Sequence, residues 1–313
     1  MKRHHGSIKK GARRADESSE AVLDRGPVEF KSRIPSHPGD IMTIASREVV
    51  TVPPTMTIMG AVKTMMTYGF RRIPVAEAGT NRLVGIFTGT DLLDFMGGGE
   101  RYNIIIKKYD GNFLAAINGG IREIMQCEVA TLKENQSLKD ALNMMLQKNI
   151  GGMPIVTEDR RVIGIISEQD FVELIAGIKT GKAVRDYMSE RVITVLPNMS
   201  IKEVTKTMRN NGLRRLPVVK DGILLGLASS RDIIRYIGSG EVFNQLITGD
   251  IHEALKPPIK TIMRSATITI EPDVDLGKAA EVMIERNVGS LSVISEGVLV
   301  GIFTERDLLR ACL

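Results

Sequence analysis

Gly85-Ile86-Phe87-Thr88-Gly89-Thr90-Asp91 recurs three times along the chain. The copies are Gly164-Ile165-Ile166-Ser167-Glu168-Gln169-Asp170, Gly226-Leu227-Ala228-Ser229-Ser230-Arg231-Asp232 and Gly301-Ile302-Phe303-Thr304-Glu305-Arg306-Asp307. The shared pattern is Gly, two mostly apolar residues, Thr or Ser, two variable residues and Asp. Repeats on this scale decide an architecture before any single motif does. Ahead of each copy lies a β-like segment, at Arg72 to Val75, Gly152 to Val156, Arg215 to Val219 and Ser290 to Ile294, separated from the next strand by a short polar or glycine-containing turn. A helix precedes that segment. In the second copy Leu138, Ala141, Leu142, Met145 and Leu146 follow the cap candidate Ser137 at helical spacing. Before the helix comes another predicted strand, with Thr51, Thr131, Thr194 and Thr269 in one column.

Each unit therefore reads strand, helix, strand, strand, helix, an α/β pattern over about 55 residues at 40–97, 122–177, 185–239 and 261–313. A unit that small leaves apolar surface for a neighbour to cover, so pairing is expected. A longer period lies on top of the first. Asp91 to Asp232 spans 141 positions and Asp170 to Asp307 spans 137, against 79, 62 and 75 between adjacent copies. The unit of duplication is thus the pair. Gly97-Gly98-Gly99-Glu100 is echoed by Gly238-Ser239-Gly240-Glu241 at the start of each long join. The pair is chemically asymmetric: copies one and three carry Arg71-Arg72-Ile73-Pro74 and Arg214-Arg215-Leu216-Pro217, copies two and four Gly151-Gly152-Met153-Pro154 and Gly289-Ser290-Leu291-Ser292.

Composition bounds the rest. With 313 residues, 43% hydrophobic and 25% charged, the chain is an ordinary globular one of two to four domains rather than collagen-like or wholly disordered. Its longest apolar runs, such as Ile223 to Ala228, fall far short of the roughly 18–20 residues of a membrane span. Cys127 and Cys312 are the only cysteines, too few for a disulfide framework, and 1–39 holds no apolar core of signal-peptide length. A cytoplasmic location is expected. Residues 1–39 carry nine Lys or Arg against five Asp or Glu, leaving a nearly neutral body. That stretch reads either as a disordered leader or as a basic arm in which Lys9, Lys10, Arg13 and Arg14 touch nucleic acid or an acidic partner; no stacking aromatics support the arm.

The Thr/Ser-x-x-Asp element has two readings. It can be a capping box, satisfying free N–H groups at a helix start. It can also present a carboxylate to the cis-diol of a ribose. The arginine pairs are equally double. Neighbouring strand residues point to opposite faces, so Arg71 and Arg72 can address two phosphate ligands through guanidinium forks, or else make internal salt bridges. Arg231 and Arg306 precede the repeated Asp near a helix N-terminus, where anions bind well. Gly151, Gly152, Gly289 and Ser290 leave room for a ring against backbone, or simply turn the chain. Catalytic signatures are absent: His4, His5, His37, His252 and the two Cys lack metal-ligand spacing, and no nucleophile elbow or phosphate loop occurs. The sixteen Met residues, Met65, Met66, Met144 and Met145 among them, read as core.

The Gly-h-x-Thr/Ser-x-x-Asp ends, the Arg-Arg-Ile/Leu-Pro-Val strands and the starts at Val49, Val129, Val192 and Thr267 resemble the CBS domain family, four times over residues 40–313. In that family two CBS repeats pack into a Bateman module, and two modules can form a flat disk with clefts facing inward. Four repeats in one chain look like the γ subunit of AMP-activated protein kinase and similar archaeal stand-alone proteins. The resemblance implies a non-enzymatic regulator that senses energy charge by binding AMP, ADP or ATP between paired repeats, with no further cofactor. It implies ribose contacts from Asp91, Asp170, Asp232 and Asp307 beside Thr88, Ser167, Ser229 and Thr304. Phosphate contacts would come from Arg71, Arg72, Arg214 and Arg215, with Arg231 and Arg306 at a further basic position. The kinase γ subunit lacks the ribose Asp in one repeat, whereas this chain has all four. Copies two and four lack the basic pair, and Ser292 stands where Pro is usual. Output would pass to a protein partner or a second disk. The alternatives are a module for S-adenosylmethionine, whose cationic sulfonium the arginine pairs disfavour, a purely architectural scaffold, and a nucleic-acid binder acting through its leader.

Overall fold

The chain's computed structural model describes residues 41–312, so the basic segment 1–39 lies outside the described residues. Every repeat has the expected β-hairpin flanked by two helices. After the short helix α1 (Ile41–Ile44), repeat one contains α2 (Ile58–Tyr68), β1 (Arg72–Ala76), β2 (Leu83–Thr88) and α3 (Gly89–Met96). Helices α4 (Tyr102–Lys108) and α5 (Phe113–Ile117) form the first long join. Repeat two contains β3 (Leu132–Lys133), α6 (Leu138–Gln147), β4 (Gly152–Val156), β5 (Val162–Ser167) and α7 (Glu168–Ile175). Repeat three contains α8 (Ile201–Asn210), β6 (Arg215–Lys220), β7 (Ile223–Ser229) and α9 (Ser230–Gly238), and α10 (Ile251–Leu255) lies in the second join. Repeat four contains β8 (Thr269–Ile270), α11 (Leu276–Glu285), β9 (Ser290–Ser295), β10 (Val298–Thr304) and α12 (Glu305–Ala311).

Local chemistry sets these boundaries. Ser137 caps α6, accepting from the Asp140 N–H, while Asp140 accepts from the Ser137 N–H, a reciprocal box that satisfies two otherwise free donors. Gly69 ends α2 at φ 70°, where its N–H reaches back to Met65 and Met66. The apolar positions Ile58, Ala61, Val62 and Met65 then lie on one buried face of α2. The predicted first strand is the weakest element. It pairs in parallel with the hairpin over Leu132–Lys133 and Thr269–Ile270, and shrinks to the bridges Val52 to Val75 and Val195 to Val218 in repeats one and three. Thr51, Thr131 and Thr194 lie outside strands, because one pairing partner is all that edge has.

The strand surfaces join repeats one with two and three with four, giving two modules. Leu83 N–H donates to Arg160 and Val162 N–H to Asn81, so the two hairpins of the first module close on each other around Leu83, Val156 and Val162. In the second module β7 meets β10. The helices join differently. α2 packs on α9 and α3 on α8, while α7 packs on α11 and α12. One large apolar core therefore unites repeats one and three, with Met65, Phe87, Phe95, Ile201, Met208 and Ile237 among its members. The other unites repeats two and four around Met145, Phe171, Met283 and Phe303. Each fully buried side chain of this size contributes about 1.5–3 kcal/mol. Each repeat thus covers its strands with its module partner and its helices with its counterpart in the other module. Among the described residues no helix is long and apolar enough to cross a membrane.

Candidate functional site

The strand-to-helix step puts the recurring Asp at the third position of α3, α7, α9 and α12, where its carboxylate folds back on the Thr or Ser before the helix. Thr88 donates to Asp91 Oδ2 through its N–H at 2.8 Å and its hydroxyl at 2.7 Å. Ser167 does the same to Asp170 at 2.6 and 2.9 Å, Ser229 to Asp232 at 2.8 and 2.6 Å, and Thr304 to Asp307 at 2.9 and 2.7 Å. All four are capping boxes. The cap uses one carboxylate oxygen and leaves the other for a different partner. Asp91 Oδ1 accepts from Gln126 at 2.8 Å and pairs with Arg101 at 2.9 Å. Asp232 Oδ1 pairs with Arg235 at 2.9 Å, and Asp307 Oδ1 with Arg310 at 3.2 Å. Among the described residues Asp170 makes no such salt bridge, and Arg72 acts on it only from farther off. Burial raises the carboxyl pKa of Asp91, Asp170 and Asp307, with the cap and, at Asp91, Arg101 pulling the other way.

The arginines converge where the four repeats meet. Arg71 forms a two-pronged pair with Glu305, its Nη2 at 2.9 Å from Oε1, and Arg215 reaches the same carboxylate at 3.4 Å. Arg214 meets Glu168 at 3.2 Å and Arg306 meets it at 2.7 Å. Both glutamates are sealed from solvent, with side chains 0% and 4% exposed. Burial alone would raise their pKa; the surrounding guanidiniums prevail and hold both below the ordinary value, Glu305 far below. Four of the six predicted arginines thus make internal salt bridges. Among the described residues Arg72 and Arg231 make no salt bridge, although Glu168 and Glu305 act on Arg72, and Glu305 and Asp232 on Arg231, from farther off. Burial, with Arg71 adding repulsion, pushes Arg72 down to about 9, and burial pushes Arg215 and Arg231 down to about 10. Arginine keeps its proton at neutral pH, so these directions mark guanidiniums short of counter-charge.

Two cavities open beside this core. The larger, about 1210 Å³, lies in the first module between Thr88 and Asp91 on one side and Val129, Gly151 and Gly152 on the other, with Arg72 and Arg306 at its wall. The smaller, about 150 Å³, is its counterpart in the second module, between Ser229 and Asp232 and the strip Val288 to Ser290, with Arg215 and Arg231 beside it. Arg71 and Arg214 line both. The even-repeat glycines leave room for these charged side-chain ends. A Cβ on Gly151 would stand 2.7 Å from Arg72, Arg214 and Glu168, and one on Gly289 2.5 Å from Arg215 and Glu305. Of the residues singled out from sequence, Ser167, Asp170, Thr304 and Asp307 line neither cavity. Glu168 and Glu305 were not singled out. They are variable positions of the repeat, and the signal that marks them is the alternation itself: Glu stands in repeats two and four where Gly89 and Ser230 stand in repeats one and three.

The family profile described as CBS domain matches residues 39–98, 121–177, 184–239 and 259–313. The chain belongs to the CBS domain family. Among relatives of its four CBS repeats, the uncharacterised protein MJ1225 of Methanocaldococcus jannaschii is 42% identical over 273 residues, covering 86% of this chain and 98% of the relative. The crystal structure of MJ1225, a protein put forward as an archaeal homolog of g-AMPK, is similar with a TM-score of 0.81 at 41% identity, covering 87% of this chain and 99% of that one. A 33.4 kDa protein of the Thermofilum pendens ribosomal RNA operon is 28% identical over 262 residues, covering 83% of this chain and 87% of the relative. A crystal structure from Pyrococcus horikoshii shares the CBS fold, at a TM-score of 0.56 and 21% identity, covering 87% of this chain and 99% of that one. Among the described residues no group of three or more His, Cys, Asp or Glu is placed to hold a metal.

Proposed function

We propose that the chain is a non-enzymatic regulatory protein that binds adenosine nucleotides in the two clefts and reports their phosphate charge to a protein partner or a second copy. The observation that carries this is the imbalance of buried charge. Six guanidiniums, from Arg71, Arg72, Arg214, Arg215, Arg231 and Arg306, surround two glutamates. A core that positive is stabilised by an anion, and guanidinium forks suit phosphate. Thr88 and Asp91 line one cleft and Ser229 and Asp232 the other, so each cleft holds a carboxylate and a hydroxyl for a ribose beside its arginines. The likeness to MJ1225 supports the same reading. Asp170 and Asp307, with Ser167 and Thr304, would serve further sites only after rearrangement. A ligand shifts the conformation by its differential affinity for two states.

Thermal unfolding of the purified chain with AMP, ADP, ATP and S-adenosylmethionine tests the proposal. Ligand at 100 times its dissociation constant adds about 2.7 kcal/mol, which raises the midpoint of a chain this size by about 4–5 °C. The rise is expected with adenylates and should shrink in Asp91→Ala. No rise with any adenylate refutes the reading, and a rise with S-adenosylmethionine alone replaces it.

A further inference from the structure

Glu168 and Glu305 are the buried carboxylates that pair with the arginines where the four repeats meet. Each is the residue after the hydroxyl cap in an even repeat, each is sealed from solvent, and neither lines a cavity. Each sits behind the arginines that do. Glu168 takes Arg214 of repeat three and Arg306 of repeat four, while Glu305 takes Arg71 of repeat one and Arg215 of repeat three. The positions equivalent to them in the odd repeats, Gly89 and Ser230, carry no charge and lie against each other, a Cβ on Gly89 falling 3.2 Å from Ser230 Oγ. The two negative charges are therefore placed only where they subtract from the arginine field of the clefts.

We propose that Glu168 and Glu305 are specificity-determining residues, internal counter-anions that hold the cleft arginines in place and set how strongly the clefts respond to the number of negative charges on a ligand. This rests on the reading of the clefts as phosphate sites. A guanidinium offers five N–H donors, so an arginine held from behind by a carboxylate still has donors for a ligand in front. The carboxylate aims the fork and lowers the attraction that each added phosphate charge feels. Removing its charge while keeping its shape frees the arginines for ligand and steepens that response. Arg71 and Arg214 face both cavities, so each glutamate acts on the two clefts together.

The experiment is calorimetric titration of the full chain, and of its Glu168→Gln and Glu305→Gln variants, with inorganic phosphate and pyrophosphate at fixed pH and salt. A unit charge a few ångströms behind a partly buried ligand changes affinity by roughly tenfold or more. Pyrophosphate is expected to bind each variant at least about tenfold tighter than the parent, and phosphate to gain less. The ligand-free midpoint of each variant should fall, and pyrophosphate should restore it. Pyrophosphate binding that is unchanged or weaker in both variants, or equal gains for the two anions, overturns the proposal. So does the absence of pyrophosphate binding in all three proteins. Should a Gln variant fail to fold, Glu168→Asp and Glu305→Asp, which draw the charge back by one methylene, are expected to show a smaller gain in the same direction; no gain overturns it. Inorganic anions carry no adenosine, so binding of pyrophosphate without adenylates sinks the nucleotide reading and leaves this one standing.

Discussion

Arg72→Met should make the ligand-free protein more stable and its ligand affinity worse. The Arg72 guanidinium makes no salt bridge among the described residues, and a Cβ on Gly151 would stand 2.7 Å from Arg72, Arg214 and Glu168, so two cations share one corner of the first cleft with a single carboxylate. Burial and the repulsion of Arg71 take Arg72 from 12.5 to about 9. At 1.36 kcal/mol per pH unit that difference sets a ceiling of about 5 kcal/mol on what the buried charge costs the folded state. Even replacing a whole buried ion pair with apolar side chains of similar volume is neutral or gains about 1–4 kcal/mol. We expect about 1–3 kcal/mol, read as a rise of about 2–5 °C in the ligand-free midpoint. A charge-assisted hydrogen bond contributes about 1.5–3 kcal/mol, so adenylate affinity should fall by about tenfold to a hundredfold. Arg72→Lys keeps the charge and should show no gain in stability. The assay is thermal or urea unfolding without ligand, paired with titration by AMP and ATP. A ligand-free Arg72→Met protein that is less stable than the parent refutes the reasoning, because it means that the guanidinium was already compensated.

Arg71→Met should have the opposite sign. It strands Glu305 in a sealed site with only Arg215, at 3.4 Å, and breaking such a pair costs about 3–5 kcal/mol, measurable as a lower urea midpoint. Gly152→Ala should destabilise by several kcal/mol or prevent folding, since Gly152 has φ 153° and an added Cβ would lie 2.4 Å from the Ile166 carbonyl and 2.5 Å from Arg72; a parent-like midpoint contradicts the geometry. Acid dependence follows from opposed groups, with Asp140, Asp159, Glu203, Glu253 and Asp275, all held below their ordinary values, acting in the same direction as the two sealed glutamates. Glu168 and Glu305 titrate below 4.5 in the folded state, so their contribution is complete above that pH and is lost as pH falls through their folded values. Asp91, Asp170 and Asp307 titrate above 3.8 when folded, so protonating them as pH falls towards that value favours the folded state. Urea midpoints between pH 7 and pH 3 should therefore hold or rise down to about 4.5 and fall steeply below it, with a shallower acid fall in Glu305→Gln. A steady decline from pH 7 counts against this assignment.

The repeats, their hairpins and their helix caps were legible because each is written in local residues. Thr88 and Asp91 are three positions apart, and a capping box needs no knowledge of the rest of the chain. The ends of the hairpins at Arg72 and Thr88 are equally local, since strand register follows from alternation and a short turn. The pairing of the first strands was overstated because a parallel edge of one or two residues leaves almost no pattern in composition. The helix-face pairing of repeat one with three and two with four was not legible. Every repeat has an apolar helix face, and periodicity says that a face is buried without saying against which copy. The same limit hid the partners of the arginines. Arg71 and Glu305 are 234 positions apart, and nothing local to either residue points to the other.

What the sequence did contain was the asymmetry, and the structure gives it a physical cause. Odd repeats have two arginines and a small residue after the hydroxyl cap; even repeats have small residues in place of the arginines and a glutamate after the cap. The small residues of one kind make room for the charges of the other, as Gly151 does for Arg72 and Arg214 and Gly289 for Arg215. The complementarity also runs across the modules. Among the described residues the salt bridges of Glu168 of the first module are with Arg214 and Arg306 of the second, and Arg71 of the first is paired by Glu305 of the second. A duplication that copied a single repeat would place like charges together at the centre. Duplicating the pair gives each module both a set of arginines and a glutamate, and folding the two modules together satisfies each glutamate while leaving arginine charge in excess at both clefts. The period of the duplication, the glycines and the charge left over for a ligand are thus consequences of one arrangement. Opening the contact between the modules would take both guanidiniums from Glu168 and Arg71 from Glu305, so the charge arrangement at the clefts depends on that contact.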